Sequence, residues 1–283
     1  MMIVKTIKEV REQIKEWKKQ GFTIGLVPTM GYLHEGHKSL IERAAAQNHK
    51  VVVSVFVNPI QFGPNEDFES YPRDIERDSK LCELAGANII FNPDAQEMYF
   101  EDRCTHVDVH GLTEGLCGGK RPGHFSGVCT VVSKLFNIVT PDKAYFGEKD
   151  AQQLAVIKRM VRDLNFDIEI VGCPIIREED GLAKSSRNTY LSAEERQAAL
   201  VLNRSLKAAE ELLKNGEKDT TTVKAAIKEE INKEVLAKID YIEIVDSQSL
   251  KSVETVEKNV LIAIAVFVGK TRLIDNFTFT VEE

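Results

Sequence analysis

Short apolar runs alternate with helical patterns along the first two thirds of the chain. The runs predict strands at residues 22–27, 51–57, 88–91, 144–146 and 168–172. Helical spacing of apolar residues predicts an N-terminal amphipathic helix through Ile7, Val10, Ile14 and Trp17, and further helices at residues 38–47, 74–85, 128–139 and 151–164. Strands and helices in this alternation predict an α/β fold, a parallel sheet with helices on both faces.

The last third of the chain has a different pattern. Ser192 followed by Glu195 is a capping-box signature for a long helix that continues through Leu213. A second helix is expected from about residue 221 to 236, followed by strands at residues 241–245 and 260–268. This order predicts a smaller C-terminal α+β domain, and the polar stretch at residues 176–187 predicts the boundary. We therefore assign residues 1–176 and 177–283 to the two domains.

Composition narrows the possible functions. The 283 residues include 37 Lys and Arg against 44 Asp and Glu, a net charge of −7, which argues against non-specific nucleic-acid binding. The longest apolar run, at residues 260–268, is too short for a membrane span, which needs about 20 residues. The five cysteines are odd in number and form no CxxC pair, so we expect reduced thiols in a cytoplasmic protein.

Several common motifs are absent or incomplete in the sequence. Residues 269–271 read Gly-Lys-Thr, but the P-loop glycine that should precede them is Ile264. No GxGxxG dinucleotide fingerprint occurs. His34 and His37 lie three residues apart and do not form the HExxH zinc motif.

The stretch Pro-Thr-Met-Gly-Tyr-Leu-His-Glu-Gly-His, residues 28–37, directly follows the first predicted strand and opens a helix. Ligands bind beyond the carboxyl ends of parallel strands, and a helix N-terminus offers N–H donors and a positive dipole to phosphates. Gly31 and Gly36 would let a ligand approach the backbone closely. His34 and His37, one turn apart, can direct donors to one phosphate. The alternative is a turn with two surface histidines.

Two later stretches also suit phosphate. Residues 147–150, Gly-Glu-Lys-Asp, follow a strand and precede a helix, so we expect them at the same sheet edge. Lys149 is a mobile point charge suited to phosphate, and Asp150 either caps the helix or contacts a ligand. The hydroxyls and guanidinium of residues 184–188 could clamp phosphate oxygens as a loop that closes over a nucleotide. The alternative for this stretch is a solvated loop.

Neutral polar side chains suggest a second, small substrate. Asn58 and Gln61 end the second predicted strand among apolar neighbours, as a small polar substrate requires. Gln153 lies one turn into a helix, on the side that faces the same edge. Residues 118–125, which include Arg121, form a glycine-rich basic loop that either binds an anion or is only a turn.

At these residues the sequence resembles the pantothenate synthetase (pantoate–β-alanine ligase) family, within the nucleotidyl transferases that share a His-x-Gly-His signature. The resemblance covers nearly the whole chain. It includes PTMGYLHEGHKSL, VNPIQFGPNEDFESYPR, KRPGHFSGVCTVVSKLFNIVTPDKAYFGEKDAQQL, DGLAKSSRNTYLS and VFVGKTRLIDN. The first element alone indicates the superfamily, and the set in this order is specific to the ligase family.

The resemblance implies a Rossmann-like nucleotide- and pantoate-binding domain and a C-terminal lid domain. It implies condensation of (R)-pantoate with β-alanine to pantothenate, with ATP converted to AMP and pyrophosphate through a pantoyl adenylate. It further implies Mg²⁺ held mainly by the ATP phosphates, without a named protein ligand, and a cytoplasmic homodimer. Nucleic-acid and membrane partners are not expected.

The resemblance also implies roles for individual residues. The expected catalytic residues are His34, His37, Lys149, Ser185, Ser186 and Arg187, with a proton-donor role at His37. The expected ATP-binding residues are Met30, Gly31, Tyr32, Leu33, His34, Glu35, Gly36, His37, Gly147, Glu148, Lys149, Asp150, Ile176, Lys184, Ser185, Ser186 and Arg187. The expected substrate-binding residues are Gln61 for pantoate and β-alanine, Gln153 for pantoate, Asn58 and Arg121.

One departure and two alternative functions bear on this hypothesis. Lys184 stands where the family usually has methionine, which adds a cation to the phosphate loop. A different nucleotidyl transferase would need a phosphate-bearing second substrate, against which the neutral Asn58, Gln61 and Gln153 argue. A nucleotide sensor without catalysis would fit a decayed site, whereas the expected catalytic residues are all present.

Overall fold

The computed structural model describes residues 1–64 and 66–281 and divides into two compact units. The first comprises Met1–Thr113, Arg121–Glu148 and Gln153–Pro174. The second comprises Glu114–Lys120, Lys149–Gln152 and the chain from Ile175 onward. The main break therefore falls two residues before the boundary expected from the sequence, and two short internal segments join the second unit.

The elements up to residue 174 follow the expected alternation. In chain order they are β1 (Met2–Val4), α1 (Ile7–Lys19), β2 (Ile24–Thr29), α2 (Glu35–Gln47), β3 (Lys50–Val55), α3 (Ile75–Leu84), β4 (Ile89–Phe91), α4 (Ala95–Met98), α5 (Leu116–Lys120), α6 (His124–Val139), β5 (Lys143–Gly147), α7 (Ala151–Asp163) and β6 (Glu169–Cys173). Short 3₁₀ helices occupy Pro59–Gln61 and Glu148–Asp150. The five strands and the helices that the sequence predicts here are confirmed, with ends displaced by at most four residues.

The first unit is built on a six-stranded sheet in the order β1-β4-β3-β2-β5-β6. All five strand pairs are parallel, which confirms the expected sheet type. From β2 the chain proceeds through β3 to β4 on one side, and β5 then pairs with the other side of β2. The strand order therefore reverses between β2 and β5, the place where ligands bind in open α/β sheets.

Burial on both faces explains why the strands of this sheet are continuous apolar runs. Leu26, Val27, Val52 and Val53 are completely buried in the two central strands. On α1 the buried face consists of Val10, Ile14 and Trp17, as the helical spacing predicts. Within the described residues, no helix is both long enough and apolar enough to cross a membrane.

The second unit contains helices α8 (Ala193–Ala198), α9 (Val201–Lys214) and α10 (Thr220–Asn232), and strands β7 (Ala237–Asp246), β8 (Val260–Val268) and β9 (Thr271–Phe279). The three strands form an antiparallel sheet in the order β7-β8-β9. Its core includes Leu202, Leu206, Ile227, Ile262 and Ile264. The expected α+β architecture of this part is confirmed.

Three expectations about local structure are wrong. The capping box of Ser192 and Glu195 forms, but the single long helix expected there breaks after Ala198, because Leu200 and Leu202 bond to carbonyls three rather than four residues back. The helix expected to end near residue 236 ends at Asn232. The glycine-rich basic loop expected at residues 118–125 consists instead of the end of α5, a short turn and the start of α6.

Helix α6 lies very close to the 3₁₀ helix Pro59–Gln61 at Gly127. A Cβ atom at this position would lie 2.5 Å from the Ile60 carbonyl oxygen and 2.7 Å from the Gln61 amide nitrogen. Both neighbours are backbone atoms, which cannot rotate away as a side chain can. The missing side chain therefore fixes how closely α6 lies to the polar residues that follow β3.

Replacement of Gly127 by alanine should lower the free energy of unfolding by roughly 1–3 kcal/mol, the usual range for an overpacked core. Urea denaturation measures this difference. Gly115→Ala is the control, because a Cβ there would meet nothing within 4 Å. Equal effects of the two substitutions would contradict the close approach.

Candidate functional site

The loop between β2 and α2 makes a left-handed turn. Gly31 has a φ of +88° and Tyr32 a φ of +51°. A Cβ at position 31 would lie 3.0 Å from Cγ1 of Val55 and 3.1 Å from Oδ2 of Asp78. Glycine is therefore suited to position 31 both by its backbone conformation and by the space around it. Tyr32, which has no such freedom, must be held in place by its surroundings.

A buried carboxylate holds this turn. Asp78, on α3, is 1% exposed. Its Oδ2 accepts from the Tyr32 amide at 2.8 Å and its Oδ1 accepts from the Leu33 amide at 2.7 Å. The guanidinium of Arg77 lies 4.5 Å from the centre of the Tyr32 ring. Burial raises the pKa of Asp78, and this effect outweighs the two amide donors, which lower it.

The sequence analysis missed Asp78, although a signal exists. Asp78 and Cys82 are one turn apart and are both buried on α3. An acidic residue at a position where the helical pattern calls for an apolar one indicates a carboxylate with a specific partner.

The two histidines form the N-terminus of α2. The Nδ1 atom of His34 accepts from the Gly36 amide at 3.1 Å, and Nδ1 of His37 accepts from the His34 amide at 3.3 Å. A backbone amide can only donate, so each neutral ring carries its proton on Nε2. The ring centres are 4.1 Å apart. The structure thus brings both expected histidines together at a helix N-terminus, an arrangement that suits an anion.

Gly147 and Glu148 lie at the same edge of the sheet. Gly147 is the last residue of β5 and pairs with Cys173 of β6. Because β5 is parallel to β2, the carboxyl ends of both strands face the same way, as expected. Glu148 then begins a 3₁₀ helix.

Asn58 and Gln61 belong to a buried chain of hydrogen bonds. Asn58, 1% exposed, donates through Nδ2 to Oε1 of Gln61 at 3.0 Å and to the Gly127 carbonyl at 3.1 Å. Its Oδ1 accepts from the Tyr99 hydroxyl at 2.8 Å. Nε2 of Gln61 lies 3.0 Å from the Met30 sulfur. Asn58 therefore supports Gln61 from the buried side. The sequence analysis did not identify Tyr99.

Arg121 is held in a second network. Its guanidinium donates to both carboxylate oxygens of Glu66 at 2.6 Å and to Nε2 of His124 at 3.0 Å. Nδ1 of His124 donates to the Gln61 carbonyl at 2.9 Å. Burial raises the pKa of Glu66, but the hydrogen bond and charge of Arg121 outweigh it and lower that pKa overall. The positive charge of Arg121 is thus offset inside the protein.

The remaining expected residues lie in the second unit, except Gln153, which is half-buried in the first-unit part of α7. The Lys149 carbonyl accepts from the Asn276 side chain at 2.7 Å, and Asp150 ends the 3₁₀ helix that begins at Glu148. Gln152, rather than Gln153, is the buried glutamine here, and it donates to the Gly115 carbonyl at 2.9 Å.

Ile176 and residues 184–187 come together in one hairpin of the second unit. The Lys184 amide donates to the Ile176 carbonyl at 2.9 Å. Ser185 caps the 3₁₀ helix Ser186–Tyr190 by accepting from the Arg187 amide at 3.3 Å. The ammonium of Lys184 lies 3.9 Å from Glu178. The cation that departs from the family pattern therefore has an acidic neighbour within its own hairpin.

In each unit the expected site residues include hydrogen-bond donors that suit an anion: amides and imidazoles in the first unit, and hydroxyls, an ammonium and a guanidinium in the second. In the part of the chain that the structure describes, no group of three or more His, Cys, Asp or Glu side chains is placed to hold a metal ion. All five cysteines are free thiols.

Comparison with known proteins gives one consistent family. A family model described as "Pantoate-beta-alanine ligase" matches residues 2–278. The pantothenate synthetase of Clostridium acetobutylicum is 68% identical over 99% of this chain and 100% of its own length. That of Enterococcus faecalis is 67% identical over the full length of both chains.

Solved structures agree with the sequence comparisons. The crystal structure of pantothenate synthetase from Thermus thermophilus has a TM-score of 0.93 and 47% identity, and the match covers 98% of this chain and 99% of that one. A pantoate-beta-alanine ligase from Francisella tularensis, complexed with "Beta-gamma ATP and Beta-alanine", has a TM-score of 0.80 and 34% identity over 98% of this chain and 97% of that one.

Replacement of Asp78 by asparagine should change how stability depends on pH. Because the folded chain holds the pKa of Asp78 above its ordinary value of 3.8, folding takes up a proton between these two pKa values. The unfolding free energy of the wild type minus that of Asp78→Asn should therefore fall as the pH rises through this window, and stay constant above it. Urea denaturation across an acidic pH series measures the difference.

Asp180→Asn serves as a control of opposite sign. The hydrogen bond from Arg196 holds the pKa of Asp180 below 3.8, so the same difference should rise as the pH rises through that window. If the Asp78 difference also rose with pH, the assignment of a raised pKa would be wrong.

Proposed function

Since this chain belongs to the pantoate–β-alanine ligase family, we propose that it activates pantoate as pantoyl adenylate before β-alanine attacks. The chain is an ATP-dependent ligase that joins pantoate to β-alanine. The observation that best supports the two-step route is the paired imidazoles at the N-terminus of α2, where β2 ends beside β5. A parallel-sheet edge with two such donors suits a nucleotide phosphate.

The chemistry explains the need for an activated intermediate. A carboxylate is a poor acyl donor, because attack by an amine would have to expel an oxide. In the proposed first step the pantoate carboxylate attacks the α-phosphorus of ATP and pyrophosphate leaves. The β-alanine amine then attacks the acyl carbon and releases a proton to solvent, and AMP leaves with the electrons of the acyl–oxygen bond. Fixed N–H donors aimed at the phosphate oxygens would stabilise the charge that builds up in the first transition state.

In the first unit, we assign the ATP contacts to residues 30–37 and to Gly147 and Glu148. His34 and His37 would donate from Nε2, since their Nδ1 atoms already accept backbone amides. This protonation state needs no charged imidazole. The proton-donor role of His37 follows from the family resemblance, which places that role at its position.

We assign pantoate binding to Gln61 and Gln153, with Gln61 also meeting β-alanine. Asn58 would act indirectly, through its hydrogen bond to Gln61. Arg121 would act through His124, which donates to the Gln61 carbonyl. Both assignments are consistent with burial of Asn58 and with the offset charge of Arg121.

In the second unit, we assign phosphate contacts to Lys149, Ser185, Ser186 and Arg187, and nucleotide contacts to Asp150, Ile176 and Lys184. The hairpin that joins Ile176 to Lys184 supports a common role for these residues. Magnesium would be coordinated mainly by the phosphates of ATP, as this ion usually is. The donors of the proposed site suit phosphate oxygens rather than a cation, so we name no protein ligand for magnesium.

We also propose that the protein is a cytoplasmic homodimer. The free thiols support a reducing compartment, and the family resemblance supports the dimer. The apolar residues of β3 do not bear on the dimer, because Val51, Val52 and Val53 are buried in the sheet. Light scattering on the purified protein should give twice the mass of one chain, and a monomer would overturn this proposal.

Isotope exchange between ATP and pyrophosphate tests the adenylate. With Mg²⁺ present and β-alanine left out, exchange should depend on (R)-pantoate. Addition of β-alanine should then yield AMP and pantothenate. Exchange without pantoate, or exchange only when pantoate and β-alanine are both present, would contradict the stepwise route.

His37→Ala and Lys149→Ala should each fold normally and lose more than ~100-fold in pantoate-dependent exchange, because each removes a contact to transition-state charge. His106→Ala and Lys158→Ala are matched controls at exposed positions and should exchange at the wild-type rate. Near-normal exchange by either site variant would refute its assigned role.

A further inference from the structure

We propose that Tyr99 is a positioning residue that fixes the Gln61 side chain with its NH₂ group directed toward pantoate. The inference rests on the proposed function, because it needs Gln61 to bind pantoate. Tyr99 is 8% exposed, lies directly after α4, and is connected to Gln61 through Asn58. It would therefore act on the substrate through two other side chains.

The direction of each hydrogen bond in this chain follows from its fixed end. The Gly127 carbonyl can only accept, so the group of Asn58 that faces it must be Nδ2. Oδ1 of Asn58 then faces Tyr99, whose hydroxyl donates to it at 2.8 Å. The same Nδ2 donates to Oε1 of Gln61, so Nε2 of Gln61 is the group left to donate elsewhere.

The contact that the NH₂ group of Gln61 makes is weak. Its Nε2 lies 3.0 Å from the sulfur of Met30, and a thioether is a poor acceptor. A carboxylate or hydroxyl oxygen of a substrate is a much better partner for the same NH₂ group. The series of hydrogen bonds from Tyr99 therefore ends in the NH₂ group of Gln61, whose present partner, the Met30 sulfur, is easily replaced.

The surroundings of Tyr99 preserve its role as a donor. Burial raises the pKa of its hydroxyl, so the proton stays in place. The ring packs near Phe56, with ring centres 6.2 Å apart, and Arg103 and Lys134 lie over it. A phenylalanine would keep these ring contacts and lose only the hydroxyl.

Without the hydroxyl, Oδ1 of Asn58 would be buried without its donor. Rotation of Asn58 does not solve this, because its oxygen would then face the Gly127 carbonyl and Oε1 of Gln61. Asn58 must shift or admit water, and either change loosens its hold on Gln61. Pantoate affinity should suffer, whereas contacts to ATP should not.

The experiment compares Tyr99→Phe with Tyr145→Phe in pantoate-dependent ATP–pyrophosphate exchange. Tyr145 is a matched control, because its buried hydroxyl also bonds to side-chain amides, those of Gln47 and Asn48. Tyr99→Phe should raise KM for pantoate about tenfold, with KM for ATP within about twofold of wild type, as the loss of a buried hydrogen bond implies. Tyr145→Phe should change neither KM by more than about twofold, even where both variants melt at a lower temperature.

Gln61→Ala separates this inference from the proposed function. If Gln61→Ala leaves the KM for pantoate unchanged, the pantoate assignment itself fails. If Gln61→Ala raises that KM while Tyr99→Phe behaves like Tyr145→Phe, only the positioning role of Tyr99 is overturned. In the double variant, Tyr99→Phe should add less than about twofold to the effect of Gln61→Ala, because the two act through one chain. Additive effects would also overturn the proposal.

Discussion

The left-handed turn at Gly31 and Tyr32 is the constraint on which the first-unit site depends. It redirects the chain from the end of β2 into α2, and so determines where His34 and His37 lie. A non-glycine residue in this conformation costs roughly 1–3 kcal/mol. Two amide hydrogen bonds to the Asp78 carboxylate, at roughly 1.5–3 kcal/mol each, oppose this strain. The raised pKa of Asp78 shows that burial disfavours the ionised carboxylate more than the two amide hydrogen bonds favour it. The turn is therefore maintained at some expense in stability, as is common where geometry serves function.

Hydrogen bonds of fixed direction determine the chemistry that the first-unit site offers. Backbone amides occupy Nδ1 of both imidazoles and leave the proton on Nε2. The Gly127 carbonyl orients Asn58, and Asn58 orients Gln61. In each case a backbone group, which can play only one role, determines what the side chain presents. Such networks are specific because a reversed member would bury an unsatisfied group.

The sequence predicts the elements whose signal is local. Strand β3 is an apolar run interrupted only by the buried Ser54 after its first residue, because both its faces are buried. Capping residues mark the starts of several helices. Edge strand β1 has only three residues, too few for a period to be seen. Strand β9 alternates buried and partly exposed residues and includes the charged Arg272 and Asp275, the latter buried against Arg177. Its strand character depends on a partner far away in the chain.

The candidate site shows the same limit. His34, His37, Gln61 and Lys149 stand in motifs, where residue type and spacing indicate their chemistry. Asp78, Tyr99 and Glu66 act through partners 41 to 55 residues away in the sequence, and no local pattern records such contacts. The distinction is chemical as well as positional. In the proposed assignment, motif residues would present donors to a ligand, whereas the residues that the sequence did not reveal are acceptors or relays that face the protein. Their importance follows from burial and bond direction, which only the fold provides. A site predicted from motifs alone therefore contains the groups that are proposed to touch the substrates but lacks the groups that hold those side chains in position.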